Sequence, residues 1–186
     1  NCLKNKKILL NLKIKKVLLN KNIILAKNNE KIKYDFLIST QNIDELHDFK
    51  FGKLEYAGYE IKTKIIDKSR AYSLDKKPIS MLYFPEARYK HCRISNYGSF
   101  QQKKDYPYNK KTILTIETPN NKIRLYPRLD KKNLNLFKKY LEESSKFSNL
   151  ITFGRLGLFK YLTSDTTIEM VFRLRKIINK WKTMST

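Results

Sequence analysis

Arg155 sits in the segment FGRLGLFKYLTSDTTI (Phe153–Ile168), where a permanent positive charge lies between two glycines and just ahead of a helix start. Leu150–Phe153 is a short apolar run, the pattern of a buried strand. A Gly-Arg-Leu-Gly loop follows at 154–157, and then an amphipathic helix expected to reach Trp181. Glycine lets backbone approach a ligand closely. A guanidinium and the N–H groups of a helix start both favour phosphate oxygens. The chemistry this spacing suits is therefore anion binding. The same residues also suit an ordinary loop carrying a surface arginine, and alone they support both readings.

A second segment bears on that choice. Residues Thr40–Glu60 read TQNIDELHDFKFGKLEYAGYE. The run IDELHDFKFGKLEY resembles the I-D-x-x-x-D-x-x-x-G-x-L-E-Y segment of UDP-galactopyranose mutases. That family also carries G-R-L-G-x-Y-x-Y-L-D-M-D before a last helix, as the Phe153–Ile168 segment does here. Arg-Ile-Ser-Asn-Tyr at 93–97 and Leu-Tyr-Pro at 125–127 fall between them in the family's order. The resemblance spans Ile32 to Trp181 in four collinear motifs.

What the resemblance implies is a flavoenzyme in which reduced FAD attacks the anomeric carbon of UDP-galactose and the sugar ring reopens in the other size. Matched position by position, Arg93 and Arg155 are the implied catalytic arginines. Arg93, Tyr126, Arg155 and Tyr161 are the implied substrate contacts on the diphosphate. Gly154, Arg155, Asp165 and Thr166 are the implied cofactor contacts. Plainer roles remain open on the residues themselves: Tyr126 and Tyr161 could cap a core, and Arg93 could pair with a sheet-face carboxylate such as Glu117. Thr163-Ser164-Asp165 stands where the family has Asp-Met-Asp, and Ala57-Gly58-Tyr59 where it has Arg-Ser-Leu. YFPE at 83–86 and the 93–97 run look more like the eukaryotic-type or amine-oxidase-like branches.

The pyrophosphate cradle of such enzymes is a Gly-x-Gly-x-x-Gly strand–turn–helix. The five glycines here, at 52, 58, 98, 154 and 157, do not form it. The family's helical uridine-binding domain has no counterpart either, and the sequence opens at Asn1 rather than Met. The expectation is the C-terminal part of a UDP-galactopyranose mutase-like isomerase serving cell-surface polysaccharide synthesis, inactive as this chain alone. Its expected partners are a UDP-sugar and an N-terminal FAD-binding half on the same or another chain; a homo-oligomer is compatible. One alternative is an amine oxidase- or protoporphyrinogen oxidase-like FAD protein. The other is a non-catalytic basic protein that binds RNA or an anionic surface.

Composition weighs against the last reading. Forty Lys and Arg against 17 Asp and Glu give a net charge of +23, which ordinarily points to nucleic acid. Yet only 8 of the 40 are arginine, and Lys, Asn, Ile and Tyr fill 79 of the 186 positions. An A/T-biased coding sequence produces that pattern, with lysine filling solvated sites, so nucleic acid is not the expected partner. Cys2 and Cys92 make neither a disulfide framework nor a metal set. His91 and Cys92 are adjacent and would face opposite sides of a strand, so no metal is expected. No apolar run is long enough to span a membrane and no secretory leader is evident, so the expected location is cytoplasmic.

Several elements must position these residues. Strands are expected over Ile8–Leu19 (a short helix is the alternative), Asn22–Ala26 and Lys31–Ser39, with a turn at 27–30. Ile43–Phe49 suits a helical turn. Leu54–Ile66, Ile79–Phe84, Cys92–Tyr97 and Thr112–Thr118 suit an antiparallel sheet, with a loop at Phe100–Asn109. Helical spacing marks Lys131–Phe147 and Glu169–Lys182, the latter with Val171, Leu174, Ile178 and Trp181 on one stripe. The fold class is α+β: a mostly antiparallel substrate-side sheet domain plus strands and the C-terminal helix of an incomplete, Rossmann-like FAD-binding domain. The expected divisions are 1–40 (strands of the FAD-binding domain), 41–128 (the sheet domain), 129–182 (helix, strand and last helix) and 183–186 (tail).

Overall fold

The structure is a computed structural model that describes residues 7–71, 73–74, 77–100 and 110–185. Cys2, nearly all of the Phe100–Asn109 loop and the side chain of Trp181 lie outside the described residues. The strands run in chain order β1 (Ile14–Leu18), β2 (Ile23–Ala26), β3 (Lys31–Lys33), β4 (Leu37–Ser39), β5 (Tyr56–Ala57), β6 (Tyr59–Asp67) and β7 (Ser73–Leu74). They continue as β8 (Lys77–Pro78), β9 (Met81–Tyr83), β10 (Arg93–Asn96), β11 (Lys111–Pro119), β12 (Tyr126–Pro127) and β13 (Leu150–Thr152). The helices are α1 (Ile43–Leu46), α2 (Lys131–Ser144), α3 (Gly154–Gly157) and α4 (Ser164–Ser185). This is a mixed strand-and-helix fold with antiparallel sheets. Among the described residues no helix is long and apolar enough to cross a membrane.

The chain divides into two compact units, Asn1–Glu55 with Tyr126–Thr186, and Tyr56–Leu125. In the first unit β1, β2 and β3 form an antiparallel meander. The single strand expected over Lys31–Ser39 is instead two. Tyr34-Asp35-Phe36 interrupts it, and β4 leaves the meander to pair in parallel with β13. The register is Leu37 with Leu150, Ile38 with Ile151 and Ser39 with Thr152. Of Ile8–Leu19 only Ile14–Leu18 is strand. The lysines alternate too irregularly there to commit one face to a core.

The IDELHDFKFGKLEY segment is held by side chains that accept and donate to its own backbone. Asp44 is fully buried; its Oδ2 accepts from the Leu54 N–H at 2.9 Å and its Oδ1 from the Glu45 N–H at 3.1 Å. Buried Tyr140 of α2 accepts from the Phe51 N–H (3.0 Å) and donates to the Gly52 carbonyl (2.6 Å). Asn133 Oδ1 accepts from the Glu55 N–H at 3.0 Å. The same asparagine caps α2 with Asp130, whose Oδ1 accepts the Asn133 N–H at 2.9 Å. Buried polar backbone must find such partners, so this loop and α2 stand or fall together. His47 adds a 2.7 Å contact from Nε2 to Ser144 Oγ, and burial pushes its pKa down. Ile43, Leu46, Leu54, Tyr140, Phe159 and Leu162 supply the apolar core around them.

In the second unit β6, β11, β10 and β9 form an antiparallel sheet in that order, and β7 pairs with β8. The nine-residue strands β6 and β11 pair along their whole length, from Tyr59 opposite Pro119 to Asp67 opposite Lys111. Alternation along β11 sends Thr112 and Leu114 to one face and Thr115 and Glu117 to the other, all four buried.

Asp44→Ala removes the acceptor of a buried backbone N–H, and urea unfolding should show a loss of roughly 2–3 kcal/mol; a loss within experimental error would contradict this account of the loop. Glu143 is held down to about 2 from an ordinary 4.5 by its hydrogen bonds with Lys146 and Lys50, then by their charges. A carboxylate with a depressed folded-state pKa contributes stability that is complete above its unfolded pKa and lost as pH falls through the folded one. Unfolding midpoints should therefore drop between pH about 4.5 and about 2, and Glu143→Gln should flatten that part of the profile.

Candidate functional site

The end of β13 sets the position of Arg155. The Phe153 N–H donates to the Ser39 carbonyl at 2.8 Å, continuing the parallel pairing one residue past the strand. Gly154 then turns the chain with φ +72, a conformation that side-chain-bearing residues rarely adopt. What the sequence suggests as a loop is a helical turn, α3, closed by the Leu158 N–H donating to the Gly154 carbonyl at 3.0 Å. At Gly157 a Cβ would stand 3.0 Å from the Ser39 carbonyl. The chain packs closely against itself there, and a side chain would press on that carbonyl.

Arg155, Tyr126 and Tyr161, all in the first unit, meet. The Arg155 Cζ is 4.9 Å from each of the two ring centroids. The rings themselves stack with centroids 5.7 Å apart and planes 19° from parallel. Cation–π attraction holds such a guanidinium without neutralising it. One further contact fixes its direction: Arg155 Nη2 donates to the Leu162 carbonyl at 2.9 Å. Among the described residues Arg155 pairs with no carboxylate. It lines an open cleft of about 600 Å³ with Tyr161, Leu162, Thr163, Ser164, Thr167 and Ile168. Tyr161 is 56% exposed.

α4 begins at Ser164, five residues before the apolar stripe suggests, because Thr163 and Thr166 cap it. Thr166 Oγ1 accepts from the Thr163 N–H at 3.0 Å, and Thr167 Oγ1 donates to the Thr163 carbonyl at 2.8 Å. The first of these bonds is one half of a capping box, with threonine in the usual place of Glu or Gln. Asp165 accepts from the Thr163 side chain, its own N–H and that of Thr166, which holds its pKa down. The helix start therefore answers its own first-turn donors. The net positive charge at the cleft comes from Arg155.

Arg93 belongs to the second unit. It stands on β10 directly opposite Glu117 of β11 and Tyr83 of β9. Its Nε and Nη2 both converge on Glu117 Oε1, at 2.8 and 2.7 Å. The Arg93 side chain is 30% exposed and that of Glu117 only 5%. Hydrogen bonding to Glu117, then to Tyr83, raises the arginine's pKa further above its usual value. His91 and Cys92 lie just ahead of β10 and take different partners: His91 packs edge-on to Phe84 at 4.4 Å, whereas Cys92 Sγ approaches the Glu117 carbonyl at 3.5 Å. Among the described residues no cluster of His, Cys, Asp and Glu could hold a metal ion.

Sequence reasoning does not reach the Leu162 carbonyl, since a backbone acceptor has no signature of its own. It also misses the Thr163–Thr166 cap, although Thr, Ser and Asp ahead of an apolar helix are its signal.

Removing Arg93 would strand a nearly buried carboxylate. Arg93→Met should cost about 3 kcal/mol of unfolding free energy, and adding Glu117→Leu should restore most of it. A double variant no more stable than the single one would show that the pair does not carry this energy.

The family model described as UDP-galactopyranose mutase matches residues 4–161. The UDP-galactopyranose mutase of Mycoplasma genitalium is 30% identical over 128 residues, covering 68% of this chain and 31% of that protein. The one from Mycoplasma pneumoniae is 27% identical over 136 residues, covering 68% of this chain and 32% of that protein. This chain thus spans about a third of the length of these curated relatives. A crystal structure of reduced UDP-galactopyranose mutase superimposes with a TM-score of 0.64 at 17% identity, over 81% of this chain and 41% of that one. That likeness is one of fold.

Proposed function

The chain belongs to the UDP-galactopyranose mutase family, and we propose that it is the diphosphate-binding, C-terminal part of a flavin-dependent enzyme interconverting UDP-galactopyranose and UDP-galactofuranose. The observation that carries this reading is the convergence of Arg155, Tyr126 and Tyr161 beside an open cleft. A sugar diphosphate is a multiply charged ligand whose tetrahedral phosphates present several acceptor oxygens. It suits one unneutralised guanidinium flanked by phenol donors that lose little entropy on binding. Arg155 supplies the charge, Tyr161 a hydroxyl at the open edge, and Tyr126 the ring that steadies both. The proposal keeps Arg93, in the second unit, as the active-site arginine that the family resemblance implies.

The family depends on FAD, and its reduced flavin supplies the covalent chemistry. The described residues do not build a pyrophosphate cradle. Gly157 is filled by the chain's own Ser39 carbonyl, and the start of α4 is taken by Asp165 and Thr166. The reading therefore assigns the cradle to residues outside this sequence. Gly154, Arg155, Asp165 and Thr166 would contribute cofactor contacts to a flavin held mainly by that cradle. The parallel pair β4–β13 and helix α4 are the pieces the chain would contribute to the flavin domain.

In the enzyme that contains this chain, Arg155→Ala should weaken UDP binding and lower kcat/KM by about two to three orders of magnitude, with the unfolding midpoint little changed. Tyr161→Phe should cost less, about tenfold. Turnover near that of the unaltered enzyme in Arg155→Ala would overturn the assignment.

A further inference from the structure

The face of the second unit's sheet that carries Arg93 is built the wrong way round for a face meant only to pack. Its first cross-strand row runs Ile61, Glu117, Arg93, Tyr83, and its second Thr63, Thr115, Ser95, Met81. The ends of the first row are apolar yet exposed, Ile61 at 58% and Tyr83 at 65%. The centre holds an ion pair between part-exposed Arg93 and nearly buried Glu117, and two buried hydroxyls, Ser95 Oγ and Thr115 Oγ1, that have no hydrogen-bond partner among the described residues. A buried ion pair is a poor way to stabilise a sheet, since apolar residues of like volume do as well or better. A part-exposed guanidinium held from beneath by a buried carboxylate instead keeps its outer donors available to a ligand.

On that basis, and resting on the mutase reading above, we infer that Glu117 is a positioning residue: it fixes the Arg93 guanidinium in one orientation and cancels its charge. Two arginine donors on one edge converge on a single carboxylate oxygen, so that edge is spent and the guanidinium cannot turn. Tyr83 flanks it from the neighbouring strand, its ring centroid 5.8 Å from Cζ. Arg93 then meets the substrate as an oriented hydrogen-bond donor carrying little net charge. A fully charged arginine at this place would bind the departing diphosphate more tightly than turnover allows.

The test uses the enzyme that contains this chain, with UDP as the probe, and compares Glu117→Gln and Glu117→Asp with the unaltered protein. Gln keeps an acceptor and removes the charge, so UDP should bind roughly three- to tenfold more tightly. Its affinity should fall more steeply with salt, and kcat should drop. Asp keeps the charge but draws the anchor back. Its salt dependence should match the unaltered enzyme while kcat falls. Thermal midpoints establish that each variant is folded. Should both variants keep the unaltered UDP affinity, salt dependence and kcat and differ only in midpoint, Glu117 is a structural partner and the inference is overturned. An unaltered enzyme that fails to bind UDP would instead overturn the mutase reading on which the inference rests.

Discussion

The parallel pairing of Leu37–Ser39 with Leu150–Thr152 is the constraint from which the first unit is organised. Two strands far apart in sequence can pair in parallel only if the chain between them returns to the same end. Two of the four motif segments, the one that follows β4 and the one that follows β13, leave from that end. The Ser39 carbonyl takes the Phe153 N–H and packs against Gly157, so β4 directly shapes the turn bearing Arg155. A few residues on, Asp44 buries its carboxylate under the Leu54 N–H and closes the other segment. The motif residues of Ile43–Tyr56 thus act mostly on their own backbone, with α2 as the outer clamp through Tyr140 and Asn133. Their spacing is a requirement of loop closure before it is one of chemistry.

The two arginines singled out by the sequence show how differently one side chain can be used. Arg155 rests against two tyrosine rings and a carbonyl, contacts that hold it without cancelling its charge. Arg93 is locked to a nearly buried carboxylate and keeps only part of its donor capacity for anything else. Which use an arginine serves cannot be read from its neighbours in sequence, because both sets of partners come from other strands or turns.

Legibility followed the same line. α2 is legible from Leu134, Phe137, Tyr140 and Leu141 at helical spacing, and β11 from its β-branched run of Thr and Ile. The break between β3 and β4 is not, since Tyr34-Asp35-Phe36 contains neither Gly nor Pro and the two strands differ only in which sheet they join. The apolar stripe places the start of α4 five residues late because its first turn is polar on every face and is stabilised by its cap rather than by burial. The meeting of Tyr126 with Arg155 and Tyr161 had no local signal at all. It was reached only through the order of motifs along the chain, which preserves contacts that periodicity does not encode. Glu117 was visible as a partner for Arg93, but its burial beneath an exposed apolar rim depends on the sheet register.

A crystal structure of the enzyme containing this chain, with UDP bound, addresses the central claim most directly. The account predicts the diphosphate oxygens within hydrogen-bond distance of the Arg155 guanidinium and the Tyr161 hydroxyl, with Tyr126 still stacked behind them. A diphosphate bound elsewhere, with Arg155 contacting only the Leu162 carbonyl and the two rings, would contradict it.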